Sequence, residues 1–248
     1  MINMAEEEFD DEEEEFLADV LSSGNYEIDQ KMGGGIPMDS LSLFEGQNDS
    51  GKSVIVQQIM WGGLNQGRRI SIFTTENTVK SLLKQMASLS LDVDDYFIIG
   101  RLNIFPVHVQ GVDWDENACD NLLEFMLKSM ERCKNEVIII DSLTVFVFHS
   151  SDNDILNFFT GCKKLCDLGK TILLTAHGYA FPENLLIRIR SICDAHLHLK
   201  TEESGDQMIK SLEVAKIRGA QKSTGNIVSF DVDPGFGMRI IPISKAKA

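Results

Sequence analysis

The first twenty residues contain no lysine and no arginine, while ten of them are carboxylates. Nine of the ten positions 6–15 are Asp or Glu, interrupted only by Phe9. Like charges at that density repel and cannot pack, so residues 1–20 are expected to form an acidic disordered tail. The net charge of the chain is −15. Ten of those charges sit in the tail, and the folded part, expected at residues 21–248, carries only −5. Neither part has the basic footprint of a nucleic-acid binder, and no nucleic-acid partner is expected.

Long apolar runs are missing too. None reaches the ~18–20 residues that span a bilayer, and the N-terminus is acidic where a secretory leader is basic and then apolar. A cytoplasmic protein is expected. There is no CxxC pair among the five cysteines, Cys119, Cys133, Cys162, Cys166 and Cys193. An odd, scattered set fits reduced thiols. Cys162 and Cys166, four apart on a predicted helix with Phe158, Phe159 and Leu165, read as buried apolar thiols. His196 and His198 share a strand face, but no acidic or cysteine pair nearby completes a zinc site.

What the sequence does have is alternation. A Gly-rich entry, Met32 to Pro37, leads into a strand at Leu41–Phe44. A helix follows from Lys52 to about Leu64, expected to break at Gly62-Gly63. A strand at 70–74, a helix at 79–89, an extended segment at 101–107 and a helix at 116–133 continue the pattern. Val137–Ile140 is fully apolar, as in a parallel strand buried on both faces. Helix 154–168 and strand 171–175 repeat the unit. Strands are expected at 194–200, 209–217, 226–232 and 237–242. The fold class that follows is α/β, with a mainly parallel sheet, helices on both faces and antiparallel C-terminal strands.

Four elements carry chemistry. Gly46-Gln47-Asn48-Asp49-Ser50-Gly51-Lys52-Ser53 satisfies GxxxxGK[ST] at every required position, between an apolar strand and an apolar-faced helix. The backbone amides of such a loop, including those of Asn48, Asp49, Ser50 and Gly51, curl around phosphates at the positive end of the helix. Lys52 reaches the β- and γ-phosphates, Ser53 ligates magnesium, and the amides of Ser53 and Val54 meet the α-phosphate. Asp49 must point outward, since a carboxylate beside phosphate weakens binding. Asp141, just past the strand 137–140, stands where a magnesium-associated Asp belongs. Glu76, after the strand 70–74, can orient a water at the γ-phosphate, or the segment with Asn77 and Thr78 can cap the next helix. Lys216 and Arg218 share one strand face. They can stabilise γ-phosphate charge in cis or in trans, or serve as solvated edge-strand charge.

With these elements in this order, the chain resembles the RecA/KaiC-like ATPases from about residue 23 to its end. The resemblance implies a P-loop NTPase core of the RecA type, with ATP and Mg2+ as ligands. It also implies a homo-oligomeric ring of hexameric type with nucleotide at subunit interfaces, and Lys216 and Arg218 facing a neighbour's γ-phosphate. Within that group, the architecture is similar to the accessory ATP-binding proteins of the archaeal flagellum, or archaellum. That likeness implies association with the motor ATPase and the membrane platform protein, peripheral at the cytoplasmic face. Two departures qualify it. KaiC-type domains usually have paired glutamates where this chain has Glu76-Asn77, so hydrolysis is expected to be slow or absent. Clock-type members carry Ser and Thr phosphoacceptors after an Asp-x-His. Here Asp194-Ala195-His196 is followed by Leu197, His198 and Leu199, so a KaiC-like signalling autokinase lacks its acceptor. A RecA-like recombination ATPase is the other alternative. Its DNA-facing loops would fall at 149–154 and 177–184, which hold no Lys or Arg.

Overall fold

The computed structural model of the chain describes residues 20–107, 116–148, 150–204, 207–220 and 227–241. The acidic segment 1–19 lies outside them. Val20, assigned to the tail on sequence grounds, belongs instead to a short strand, β1 (Val20–Leu21), which pairs with β2 (Ile36–Pro37). Between them lies helix α1 (Tyr26–Lys31), whose N-cap Asn25 accepts from the amides of Glu27 and Ile28.

The remaining strands form one nine-stranded sheet. In chain order they are β3 (Leu41–Gly46), β4 (Ile70–Thr74), β5 (Leu102–Pro106), β6 (Val137–Asp141), β7 (Thr171–His177), β8 (Ala195–Ser204), β9 (Gln207–Ile217), β10 (Ile227–Asp233) and β11 (Gly237–Ile241). Their spatial order is β11-β10-β9-β8-β3-β7-β6-β4-β5. Strands β3 to β8 pair in parallel, and β9, β10 and β11 extend the sheet antiparallel, as expected from the sequence. β9 lies between β8 and β10, but its pairing with β10 runs only from Lys210 to Glu213, so Lys216 stands on a stretch paired by β8 alone.

Eight α-helices and a 3-10 turn (Gly178–Ala180) complete the described residues: α1, then α2 (Lys52–Asn65), α3 (Val79–Ser88), α4 (Asp94–Ile98), α5 (Glu116–Arg132), α6 (Thr144–Val147), α7 (Asp152–Cys166) and α8 (Glu183–Ile192). Two hydrophobic cores sandwich the sheet. One joins it to α2 and α3, the other to α5, α7 and α8. β6 shows how one apolar run serves both. Val137 and Ile139 enter the first core while Ile138 and Ile140 enter the second, because successive strand side chains alternate faces. Cys162 and Cys166 are buried in the second core, the role read for them in sequence.

α2 does not break at Gly62-Gly63. A Cβ at Gly62 would lie 2.3 Å from the carbonyl oxygen of Ser22, and one at Gly63 would lie 2.5 Å from Leu21 Cδ1. The glycines admit the β1 segment against the helix, and this contact rather than propensity explains them. α7 begins at Asp152 because Ser151 caps it, accepting from the Asp154 amide at 3.2 Å. The presumed DNA-facing stretches are thus partly the starts of α7 and α8.

Candidate functional site

β3, β7 and β6 are adjacent and parallel, so their carboxyl ends open on one edge of the sheet. The chain leaves β3 and re-enters the sheet three places away at β4, a topological switch point where α/β proteins bind ligands. The loop 46–51 fills that crevice. Gly51 stands at the N-cap of α2 with φ 92°, and a Cβ there would lie 2.9 Å from the ring of Phe230. Only glycine fits both conditions. Asp49, also left-handed at φ 54°, turns its side chain outward, 97% exposed, and pairs with Lys210 of β9 at 3.0 Å. The sequence-based requirement on Asp49 is met, and Lys210 cancels its charge.

Around the loop the predicted residues converge. Asn48, Asp49, Ser50, Gly51, Lys52, Ser53 and Val54 line one cavity of about 390 Å³ with Glu76 and Asp141. The Lys52 ammonium donates to the Gln47 carbonyl at 2.6 Å. Burial lowers its pKa, opposed by the charges of Asp141, Glu76 and Asp49. Asp141 is fully buried, and burial raises its pKa against hydrogen bonds donated by Thr175 at 2.6 Å and Ser53 at 3.1 Å. Glu76 is raised by burial and then by repulsion from Asp141. Two carboxylates therefore face one lysine.

The ends of β4 and β6 are laced together. The Thr75 amide donates to Asp141 O at 3.0 Å, and the Ser142 amide to Thr75 Oγ1 at 3.2 Å. The capping reading of the 74–78 turn holds, and it uses side chains other than Glu76. Thr78 caps α3 in a reciprocal pair with Ser81, and Asn77 accepts from Ser81 Oγ at 3.0 Å, which leaves Glu76 on the cavity.

Sequence reasoning missed three contributors. Thr175 fixes the Asp141 carboxylate from β7. Lys210 reaches the loop from 161 residues away. His177, at the end of β7, lines the cavity, stacks on Tyr179 and contacts Thr144 Oγ1 through Nδ1 at 3.0 Å. Burial and the Lys52 charge lower its pKa, which favours neutral imidazole. The position of His177 just past an apolar strand next to the P-loop strand was the available signal. For Lys210 there was none.

Lys216 and Arg218 are not brought to this cavity. Lys216 pairs with His196, which pairs with Leu43, three residues before Gly46. At ~3.3 Å per residue and ~4.8 Å between strands, that places Lys216 roughly 14 Å from Gly46. Its ammonium instead donates to the carbonyls of Arg190 and Cys193, capping the C-terminus of α8. Arg218 is 57% exposed, donates to Ser191 O at 3.2 Å and lies 3.7 Å from Asp194. Both side chains are engaged at the C-terminal end of α8 rather than at the loop.

The donors at the loop mouth suit a hard cation. Ser53 and Asp141 offer oxygen only, as magnesium requires, and the amides and Lys52 suit phosphate. Among the described residues, no group of three or more His, Cys, Asp or Glu forms a metal cluster, and no helix is long and apolar enough to cross a membrane. Asp141→Asn is expected to weaken nucleotide binding at least about tenfold with magnesium and little in EDTA. Titration in both conditions checks this. Equal losses would reduce Asp141 to a structural residue.

Comparison with known proteins agrees with this geometry. A family model described as ATPase: KaiC matches residues 21–245. The archaeal flagellar ATP-binding protein FlaH of Sulfolobus acidocaldarius is 32% identical over 229 residues, covering 92% of this chain and 100% of that protein. FlaH of Methanocaldococcus jannaschii is 26% identical over 218 residues, covering 86% and 91%. The crystal structure of FlaH from Methanocaldococcus jannaschii superposes with a TM-score of 0.78 at 24% identity, over 90% of this chain and 99% of that one. A nucleotide-type cradle at a RecA-type switch point, and a family match from β1 to beyond β11, lead to one conclusion: the chain belongs to the KaiC-like ATPase family.

Proposed function

We propose that this protein is an ATP-binding, ring-forming regulatory component of the archaellum motor, in which ATP and Mg2+ act chiefly as an assembly ligand and hydrolysis is slow or absent. The observation that carries this is the division of labour after β4. The binding side chains Lys52, Ser53 and Asp141 converge, whereas the position of a second glutamate holds Asn77, whose side chain accepts from Ser81 Oγ at the start of α3. Binding is supported, and water activation is left to Glu76 alone. Magnesium would be held by Ser53 and Asp141 and would neutralise phosphate charge there. Likeness to FlaH supplies the archaellum setting, and with it the motor ATPase and membrane platform protein as partners at the cytoplasmic face. The domain that does this is read as 21–248, with residues 1–20 as an appended acidic tail.

The proposed ring rests on the family resemblance, in which the cations at Lys216 and Arg218 meet a neighbour's γ-phosphate. Lys216 is engaged with the carbonyls of α8, and Arg218, 57% exposed, is the one turned to solvent. Ligand that bridges subunits stabilises the assembly by mass action. Light scattering is expected to show larger oligomers with ATP than with ADP. Arg218→Ala should remove that difference while sparing nucleotide binding. A mass independent of nucleotide and of Arg218, or turnover on the order of 1 per second or faster, would contradict the proposal.

A further inference from the structure

The nucleotide cavity is not the largest on the molecule. A groove of about 810 Å³ runs along the far edge of the sheet, between β5 and α5. Its floor is apolar, with Phe105 and Phe125 exposed by 40% and 62%, and Leu122 and Met126 beside them. Two exposed aromatic rings lining one groove offer apolar surface to a docking segment. Its rim is cationic. Arg69, Arg132 and Lys134 line it; among the described residues no carboxylate does, and none of the three is in an ion pair. In a chain of 38 acidic and 23 basic residues, such a surface is out of keeping with the whole.

The complementary sequence lies on the same chain. Residues 6–17 read Glu-Glu-Glu-Phe-Asp-Asp-Glu-Glu-Glu-Glu-Phe-Leu, nine carboxylates with Phe9, Phe16 and Leu17 as the apolar members. The chain emerges from the core at Val20, whose carbonyl accepts from Gln66 Nε2 at 3.3 Å. Gln66 is three residues before Arg69, the rim residue at the start of β4. Leu17 is three residues before Val20, within ~10 Å of extended chain. Val20 and Leu21 pack with α2 on the other face of the sheet, so docking takes the segment around the end of β4 at Arg69.

We propose that residues 6–17 dock in the β5–α5 groove of their own subunit, with Phe9 and Phe16 on the apolar floor and the carboxylates against Arg69, Arg132 and Lys134. The tail then shields a sticky edge of the sheet, and any partner that uses this edge must displace it.

Cys133, partly exposed in the groove, reports on occupancy. The full chain is treated with iodoacetamide at low salt, and alkylation of Cys133 is followed by peptide-mass mapping. The Phe9→Ser/Phe16→Ser chain is expected to react at least about fivefold faster than wild type at every protein concentration. In 1 M salt, where screening acts within ~3 Å, the ratio should fall toward one. In an Arg132→Glu/Lys134→Glu background it should also be close to one, which separates loss of docking from any change in the thiol itself. Retained binding of a fluorescent ATP analogue shows each chain folded. Equal rates for wild type and the tail variant at low salt would overturn the proposal. A ratio that grows with protein concentration would overturn the same-subunit assignment, since the segment would then come from a second copy.

Discussion

Replacing Lys52 with alanine is expected to abolish tight ATP binding, with a loss of at least about a hundredfold, or ~2.7 kcal/mol. Lys52 is the cation within the loop motif, and it is held there at 6% exposure. Opposite it stand Asp141 and Glu76, both of which repel phosphate if left unbalanced. The loop amides remain in the variant, but the cavity loses its cation and keeps both carboxylates. Wild type and variant are compared by titration of a fluorescent ATP analogue with magnesium, with thermal unfolding as a check on the fold. Binding within about threefold of wild type, under ~0.7 kcal/mol, would refute the site.

The second large effect lies directly behind the loop. Glu45, the residue before Gly46, is 3% exposed. Its carboxylate accepts two hydrogen bonds from Arg190, at 3.0 and 2.8 Å, and lies 2.9 Å from His196 Nε2. Burial alone would raise its pKa, but the hydrogen bonds from His196 and Arg190 outweigh it and hold the value at about 2. Arg190→Ala leaves that carboxylate buried with half its partners. Breaking a buried pair from one side costs ~3–5 kcal/mol, and the partial exposure of Arg190 reduces this to about 2–3 kcal/mol here.

Urea denaturation measures it, and a Glu45→Leu/Arg190→Leu double variant should lose less than the two single changes summed. The pH dependence has a definite sign. The folded value of Glu45, about 2, lies below the ordinary 4.5, so its contribution is complete above pH 4.5 and is lost as pH falls toward 2. The gap between wild type and Arg190→Ala should therefore close progressively over that window. A gap of the same size at pH 7 and pH 3 would show that Arg190 acts through packing alone.

Neither Arg190 nor His196 was legible as a partner of Glu45, which lies 145 and 151 residues away in sequence. Helix α8 itself escaped notice because its start, Glu183, follows Pro182 without a side-chain cap. Lys216 shows the converse. Its spacing from Arg218 suggested phosphate chemistry, but whether its ammonium meets phosphate or the carbonyls of α8 depends on what packs beside β9. The glycines of α2 were misread for the same reason. Helix propensity is local, and it cannot register that the β1 segment needs room at Gly62.

By itself the sequence determined what local rules control. The spacing of Gly46, Gly51, Lys52 and Ser53 dictates a phosphate loop, because amide curvature and a helix start are properties of consecutive residues. The apolar run 137–140 dictates a central strand with Asp141 at its carboxyl end. Tertiary structure alone decided which groups meet across the sheet. It set Thr175 against Asp141, Lys210 against Asp49 and Arg190 against Glu45, and it placed Lys216 and Arg218 away from the loop of their own subunit. Those contacts join strands that are neighbours in space but distant in the chain, and strand order is fixed by how both faces of the sheet bury their side chains together.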